Sequence, residues 1–227
     1  MKRIMTLVFS GVCLAAALVW LIGLIFARPV TQTASDLITV VIDAGHGGTD
    51  GGKSGTIKNE AYINLEIALI LKDLLVEKGF NVVLTRTDDQ GLCVEGQSWD
   101  KDEDMRLRKQ IVLCSNADML ISIHQNSFTD SRVRGAQVFY STVLDENKTL
   151  ADMIRNNLLE LSEYNDRILL TADDLKILKE NPMPSVLVEC GFLSNPYDEQ
   201  LLNDPDYQTK LADAIYRAVC EFFSLSP

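Results

Sequence analysis

Positive charge is scarce in this chain. Lys and Arg number 21 against 32 Asp and Glu, a net charge of −11. That leaves no basic field for a phosphate backbone and excludes a nucleic-acid partner. Cysteine is sparse as well: Cys13, Cys93, Cys114, Cys190 and Cys220 stand far apart and form no C-x-x-C pair. A domain of this size does not need disulfides, so they read first as small buried hydrophobes, with a bridge left open. There is no G-x-S-x-G elbow, Walker loop or dinucleotide fingerprint, and no internal repeat or low-complexity tract. Histidine is rarest of all, with only His46 and His124 in 227 residues. A serine or cysteine nucleophile needs an activating base, usually histidine. If both histidines bind metal, none remains for that chemistry.

What is present begins with a long apolar run. Lys2 and Arg3 precede Ile4 to Ala27, 24 residues without a charge. As a helix this run is roughly 36 Å long, enough to cross a bilayer core. The basic residues before it place the N-terminus in the cytoplasm and the rest of the chain outside. A cleaved signal peptide is the rival reading, but Leu24-Ile25-Phe26-Ala27-Arg28-Pro29 is a poor cleavage site. The expectation is therefore a single-pass anchor over residues 1–28, a polar linker over 29–36, and one extracytoplasmic domain over 37–227. About 190 residues suffice for a full core.

Leu37 to Asp43 is a β-branched run that reads as a buried strand, followed by the glycine-rich loop Ala44 to Gly52. Glu60 to Lys78 has helical apolar spacing and is closed by Gly79. Asn81 to Thr85 is a second strand, so the first elements form a βαβ unit with parallel pairing. Asp88 to Asp102 reads as a surface loop, Asp104 to Asn116 as a helix, and Ala117 to Ile123 as a strand ending at His124. A strand at Gly135 to Ser141, a helix at Glu146 to Glu163, a strand at Pro184 to Cys190 and a closing helix at Tyr207 to Phe223 complete the pattern. The fold class is α/β: a mainly parallel central sheet with helices on both faces, preceded by one N-terminal transmembrane helix.

Both histidines fall at the C-terminal ends of expected strands, the edge where ligands collect in open α/β sheets. Glu60 starts the first helix, and Glu189 lies near the end of an apolar strand. Two imidazoles and one carboxylate are a frequent catalytic zinc set, with one position left for water. A free carboxylate must then carry the water's proton to the leaving nitrogen. Glu189 fits, because burial raises a carboxyl pKa toward neutrality. Each residue has a plainer reading. His46 can cap a turn, His124 can be a satisfied core histidine, and Glu60 can face the helix dipole. Glu189 resists dismissal, since a carboxylate ending Val-Leu-Val needs a partner or a function. Cys190 beside it would point to the opposite face, into the core.

These residues carry a family resemblance. Val41-Ile42-Asp43-Ala44-Gly45-His46-Gly47-Gly48, then Asn59-Glu60, Ser122-Ile123-His124-Gln125-Asn126 and Val188-Glu189-Cys190-Gly191-Phe192-Leu193-Ser194-Asn195 resemble the ordered motifs of the family 3 N-acetylmuramoyl-L-alanine amidases. Thr85-Arg86, Arg108 and Gly135-Ala136 also fit. The likeness covers about residues 38 to 223. It implies zinc held by His46, Glu60 and His124, with Glu189 as the catalytic carboxylate. The reaction it implies is hydrolysis of the bond between the lactyl group of N-acetylmuramic acid and L-alanine in peptidoglycan. It also implies supporting or substrate-contacting roles for Asn126, Arg86, Phe192 and Asn195, with Phe192 to Asn195 shaping the rim of the groove.

Two departures stand out. Ala61 follows the ligand glutamate where many members have lysine, and Thr171 to Leu178 lacks the Asn and Tyr often found there. Ser141 to Met183 has room for one ordinary helix and a connection, not an added inhibitory helix. The short form, with its anchor and the Gly91 to Gly96 loop, looks most like the amidases of spore-cortex synthesis, which help to make muramic lactam. No pattern specifies an activator protein. Two other functions remain open: a zinc peptidase acting within the stem peptide, and an anchored peptidoglycan-binding module without activity.

Overall fold

The computed structural model describes residues 37–92, 100–161 and 166–227. The expected anchor and linker, and residues 93–96 of the glycine-flanked loop, lie outside the described residues. No helix among the described residues is long and apolar enough to cross a membrane.

Strand β1 (Thr39–Ala44) is buried along its whole length, as its β-branched composition requires of a central strand. Helix α1 (Glu60–Lys78) has the expected bounds and ends on Gly79, whose φ of 100° lets its N–H reach back to the Leu75 and Val76 carbonyls. Strand β2 (Asn81–Leu84) then pairs with β1 in parallel. Helix α2 (Lys101–Cys114) starts three residues before the sequence suggests. The Asp100 side chain accepts from the N–H groups of Asp102 and Glu103 and fixes the first turn there.

The chain continues through β3 (Met119–Asn126), β4 (Gln137–Tyr140), helix α3 (Asp145–Leu159), the two-residue β5 (Leu170–Thr171) and β6 (Ser185–Phe192). It closes with helices α4 (Pro196–Leu202) and α5 (Pro205–Phe222). Strand order is β2-β1-β3-β6-β4-β5, a six-stranded sheet. Every neighbouring pair is parallel except β4–β6. The exception has a simple cause: the link between β3 and β4 contains no helix and is too short for a crossover of a dozen or more residues, so the chain reverses. The interval after β4 holds α3 and the short β5 among its described residues, in line with one ordinary helix.

Side chains alternate between two cores. Val40, Ile42, Met119, Ile121, Val186, Val188 and Cys190 pack with α1, α3 and α5 on the first face. Val41, Leu120 and Leu187 pack with Val112 of α2 and with Ile177, Leu178 and Met183 on the second. Cys190 thus points into the core opposite Glu189, as expected. On the second face the strands turn polar toward their C-terminal ends, from Val41 to Asp43, from Leu120 through Ser122 to His124, and from Leu187 to Glu189. That switch, set by a period of two, gathers the polar groups at one edge of the sheet.

Candidate active site

His46 stands two residues beyond β1 in a left-handed conformation, φ 64°. A non-glycine residue there is strained and must be held in place. Its backbone carbonyl accepts from Arg108 Nη2 at 2.5 Å, and its Nδ1 lies 2.8 Å from Asp50 Oδ2. Asp50 in turn accepts from the Gly52 N–H at 3.1 Å. The Asp50 carboxylate accepts a hydrogen bond from Nδ1–H, which fixes the tautomer and leaves the Nε2 lone pair free for a metal. Nε2 faces Glu60 Oε1 at 3.2 Å.

His124 lies inside β3 rather than just beyond it, because the strand runs on to Asn126 with an irregularity between residues 124 and 126. Its Nδ1 is 2.9 Å from the same Glu60 oxygen. Glu60 opens α1 and is 4 % exposed; it also accepts from the Gln125 N–H at 3.1 Å and the Lys53 N–H at 2.8 Å. Although burial alone would raise its pKa, the two imidazoles hold this carboxyl below the usual carboxylate range. Burial likewise opposes the charge on His46, yet the Glu60 and Asp50 carboxylates push its pKa up to about 8.

Two glycines make the crowding possible. A Cβ on Gly45 would stand 2.2 Å from the His124 ring, and one on Gly52 would stand 2.6 Å from Glu60 Oε2.

The three ligand atoms lie within 4.8 Å of one another. Tetrahedral ligands at about 2.1 Å from one ion stand about 3.4 Å apart, so His46, Glu60 and His124 fit a single zinc ion. Glu189 is the neighbour of His124 in the β3–β6 register, on the same face. Its Oε2 is buried without a hydrogen-bond partner, an expensive state unless the group is used. Burial pushes its pKa up to about 7; the nearby Glu60 charge adds to the shift and the two imidazoles oppose it.

The remaining expected site residues fall in different places. Arg86 is 4 % exposed and donates to four backbone carbonyls: Ala44 at 2.8 Å, Asp88 at 2.8 Å, Gly45 at 3.1 Å and Ala61 at 2.7 Å. It splints the ligand loop to α1 and has little surface for substrate. Asn126 accepts from the Ser127 N–H at 2.8 Å, while the contact to the ligand shell comes from its neighbour Gln125, which bonds Asn64 Oδ1 at 3.2 Å. The ring of Phe192 is buried beneath the Arg167 guanidinium, 4.9 Å from its centroid, and so does not form the rim. Asn195 caps α4 by accepting from the Tyr197 and Asp198 N–H groups, both at 3.0 Å.

A cleft of about 300 Å³ opens on the second face beside His46 and His124, walled by Met105, Leu175, Ile177 and Leu187. Leu175 and Ile177 belong to the stretch that lacks Asn and Tyr, and this segment borders the cleft with those two apolar groups and with the charged Asp174 and Lys176.

Known proteins share this fold. The sequence profile of the N-acetylmuramoyl-L-alanine amidases (Amidase_3) matches residues 40–221. The chain belongs to the N-acetylmuramoyl-L-alanine amidase family. It is a hydrolase of the amide that joins N-acetylmuramic acid to L-alanine in peptidoglycan. The germination-specific N-acetylmuramoyl-L-alanine amidase of Bacillus subtilis is 36 % identical over 188 residues, 82 % of this chain and 79 % of that one. The CwlD amidase of Clostridioides difficile, solved in complex with the GerS lipoprotein, is 41 % identical with a TM-score of 0.79, over 82 % of this chain and 98 % of that one. The catalytic domain of CwlV from Bacillus (Paenibacillus) polymyxa var. colistinus is 28 % identical with a TM-score of 0.72, over 84 % and 100 %.

In this amidase Asp50 does not stand out from the sequence as a site residue, although it is the only acid between Asp43 and Glu60; it is the fold that sets it against His46. Replacing it by Asn removes the negative partner of His46 Nδ1 but keeps the shape. Zinc affinity is expected to fall about ten- to a hundredfold, the usual cost of losing such a partner. Competition with a chelator measures it; unchanged affinity would show that Asp50 only shapes the turn.

Proposed function

We propose that this amidase works with one zinc ion held by His46, Glu60 and His124, and with Glu189 as the proton carrier. The observation that carries the reading is the pairing of a converged ligand trio with an adjacent, buried and unpartnered carboxylate oxygen. Zinc bound there supplies Lewis-acid polarisation of the scissile carbonyl and the attacking water. Asp50 orients His46. Arg86, Arg108 and Asn64 hold the carbonyls of residues 44 to 46, so the loop keeps its shape when the site fills. Glu189 takes the proton of the attacking water on its carboxylate and returns it to the departing L-alanine nitrogen. A pKa near 7 suits both transfers at neutral pH.

The germination-specific relative and the spore-cortex resemblance support a role in cortex remodelling. The uncharged run over residues 4–27 supports a membrane anchor with the amidase outside the cytoplasm. The complex that the Clostridioides neighbour forms with a lipoprotein supports a lipoprotein partner on that same side.

Peptidoglycan digested with the purified chain, followed by mass spectrometry, tests the reaction. Free stem peptides beginning with L-alanine are the expected products. Shortened peptides would instead mark a peptidase, and binding without products a non-catalytic module. Elemental analysis tests the metal set: His46→Ala and His124→Ala should each lose most bound zinc, and full zinc content in both would overturn the assignment.

A further inference from the structure

Three loops leave the C-terminal edge of the sheet, and each is continuous with one residue of the site. Residues 53–59 run into Glu60, residues 127–135 follow β3 and His124, and residues 193–195 follow β6 and Glu189. The short helix α4 and the turn before it tie all three together. Asn195 Nδ2 donates to the Ser131 carbonyl at 2.7 Å. Asp198 Oδ2 accepts from the Gly135 N–H at 2.8 Å and the Phe192 N–H at 2.9 Å. Glu199 accepts from the Thr56 and Ile57 N–H groups and from Thr56 Oγ1 at 3.0 Å. Ser194 Oγ accepts from the Phe128 N–H at 2.9 Å. Asp198 and Glu199 are each 7 % exposed, so these charge-assisted bonds are shielded from water and strong.

Outward, the first two loops and helix α4, which continues the third, carry large apolar side chains into solvent: Ile57 is 61 % exposed, Phe128 56 % and Tyr197 52 %. The Arg134 guanidinium lies over the Tyr197 ring, 5.3 Å from its centroid. A single exposed apolar residue carries no meaning. Here three sit on three segments that buried side chains fix in place, and every segment is joined to a site residue. The cleft lies elsewhere, against the second face of the sheet.

We propose that Ile57, Phe128, Tyr197 and Arg134 form a ledge for the glycan strand of peptidoglycan, while the cleft on the second face takes the stem peptide. The proposal rests on the amidase reading and deepens it. The scissile amide joins two arms, so a productive pose needs a separate path for each. The glycan is a polymer that continues in both directions past the muramic acid being cleaved. It needs an open surface, which the ledge offers and a walled cleft does not. Pyranose rings present flat C–H faces that pack on Phe and Tyr rings. Their hydroxyl and N-acetyl oxygens accept hydrogen bonds from a guanidinium. A protein partner is the competing occupant of a Tyr- and Arg-bearing patch. Continuity of each segment with a site residue favours the substrate.

The test compares the full chain with a Phe128→Ala/Tyr197→Ala double variant on three probes: glycan strands stripped of stem peptides, intact peptidoglycan, and a single muramoyl peptide. Binding of stripped glycan should weaken about tenfold, and kcat/KM on intact polymer should fall about tenfold relative to that on the single muramoyl peptide. Tyr197→Phe keeps the ring and should retain most glycan binding. If the double variant fails to fold, Phe128→Ser and Arg134→Gln as single changes carry the same comparison. Equal glycan binding by wild type and variant, or none by wild type, overturns the ledge while leaving the amidase reading intact. Loss of a protein partner with glycan binding retained also overturns it. If the chain cleaves no muramoyl amide yet glycan binding depends on Phe128 and Tyr197, the amidase reading fails and the ledge stands.

Discussion

Glu189→Gln should lower turnover on peptidoglycan by about 10²–10⁴-fold, the range that a general acid–base group contributes, while leaving zinc content and folding near wild type. The argument begins with position. Glu189 neighbours His124 across the β3–β6 ladder, yet it is not among the converged ligand atoms, which belong to His46, Glu60 and His124. Its Oε2 is buried and makes no hydrogen bond, so an amide can replace it without breaking a contact of the resting protein. What an amide cannot do is accept and return a proton. A ligand and a proton carrier therefore fail differently. Turnover, zinc per chain and peptidoglycan pull-down on one preparation separate them. Zinc lost from Glu189→Gln would make Glu189 a ligand. Zinc retained with near-normal turnover would remove it from the mechanism.

Much of this site was legible because its residues break a pattern. Val-Leu-Val before Glu189 and Leu-Ile-Ser-Ile before His124 are strand-like runs that turn polar at their ends, and a period of two puts both polar groups on one face. The bounds of α1 were legible too, because Gly79 stops the helix and Glu60 starts it. Other features depend on partners far away in the chain. Arg86 and Arg108 look alike as sequence, and only the fold shows them as splints gathering the carbonyls of residues 44 to 46. The resemblance implied a supporting role for Asn126, but its side chain accepts from the Ser127 N–H, and the extra residue at this point of the ladder lies on β6, between Glu189 and Phe192. Phe192 was expected at the rim, yet β6 runs through it and buries its ring. Helix α4 went unread because seven residues give no useful period, although Asn195 and Pro196 are a recognisable start.

Asp43→Asn should destabilise the fold by about 3 kcal/mol, at the low end of the cost of stripping one partner from a buried ion pair. Asp43 is 1 % exposed and sits one residue before the end of β1. Its Oδ1 accepts from Arg108 Nη1 and from Thr85 Oγ1, both at 2.8 Å, and its Oδ2 accepts from Ser122 Oγ at 2.6 Å. Arg108, 2 % exposed, also donates to Asp104 at 2.6 Å and to the Ala44 and His46 carbonyls. An Asn at 43 leaves the guanidinium buried with one carboxylate instead of two; the survival of Asp104 keeps the loss from the upper end of the range. Burial alone would raise the Asp43 pKa, but the Arg108 charge, the nearby His124 and the Ser122 hydrogen bond outweigh it and hold it at about 2, against an ordinary 3.8. The sign follows from linkage. Between those two values the unfolded chain binds more protons than the folded one, so stability rises with pH. The Asp43 contribution is complete above about pH 4 and is lost as pH falls toward 2. Denaturant titrations of metal-free wild type and Asp43→Asn should therefore show a stability gap that is widest at neutral pH and narrows through that acid window, since Asn does not titrate. A gap of constant size from pH 6 to pH 2 would mean that the Asp43 charge does not hold the ligand loop's foundation together.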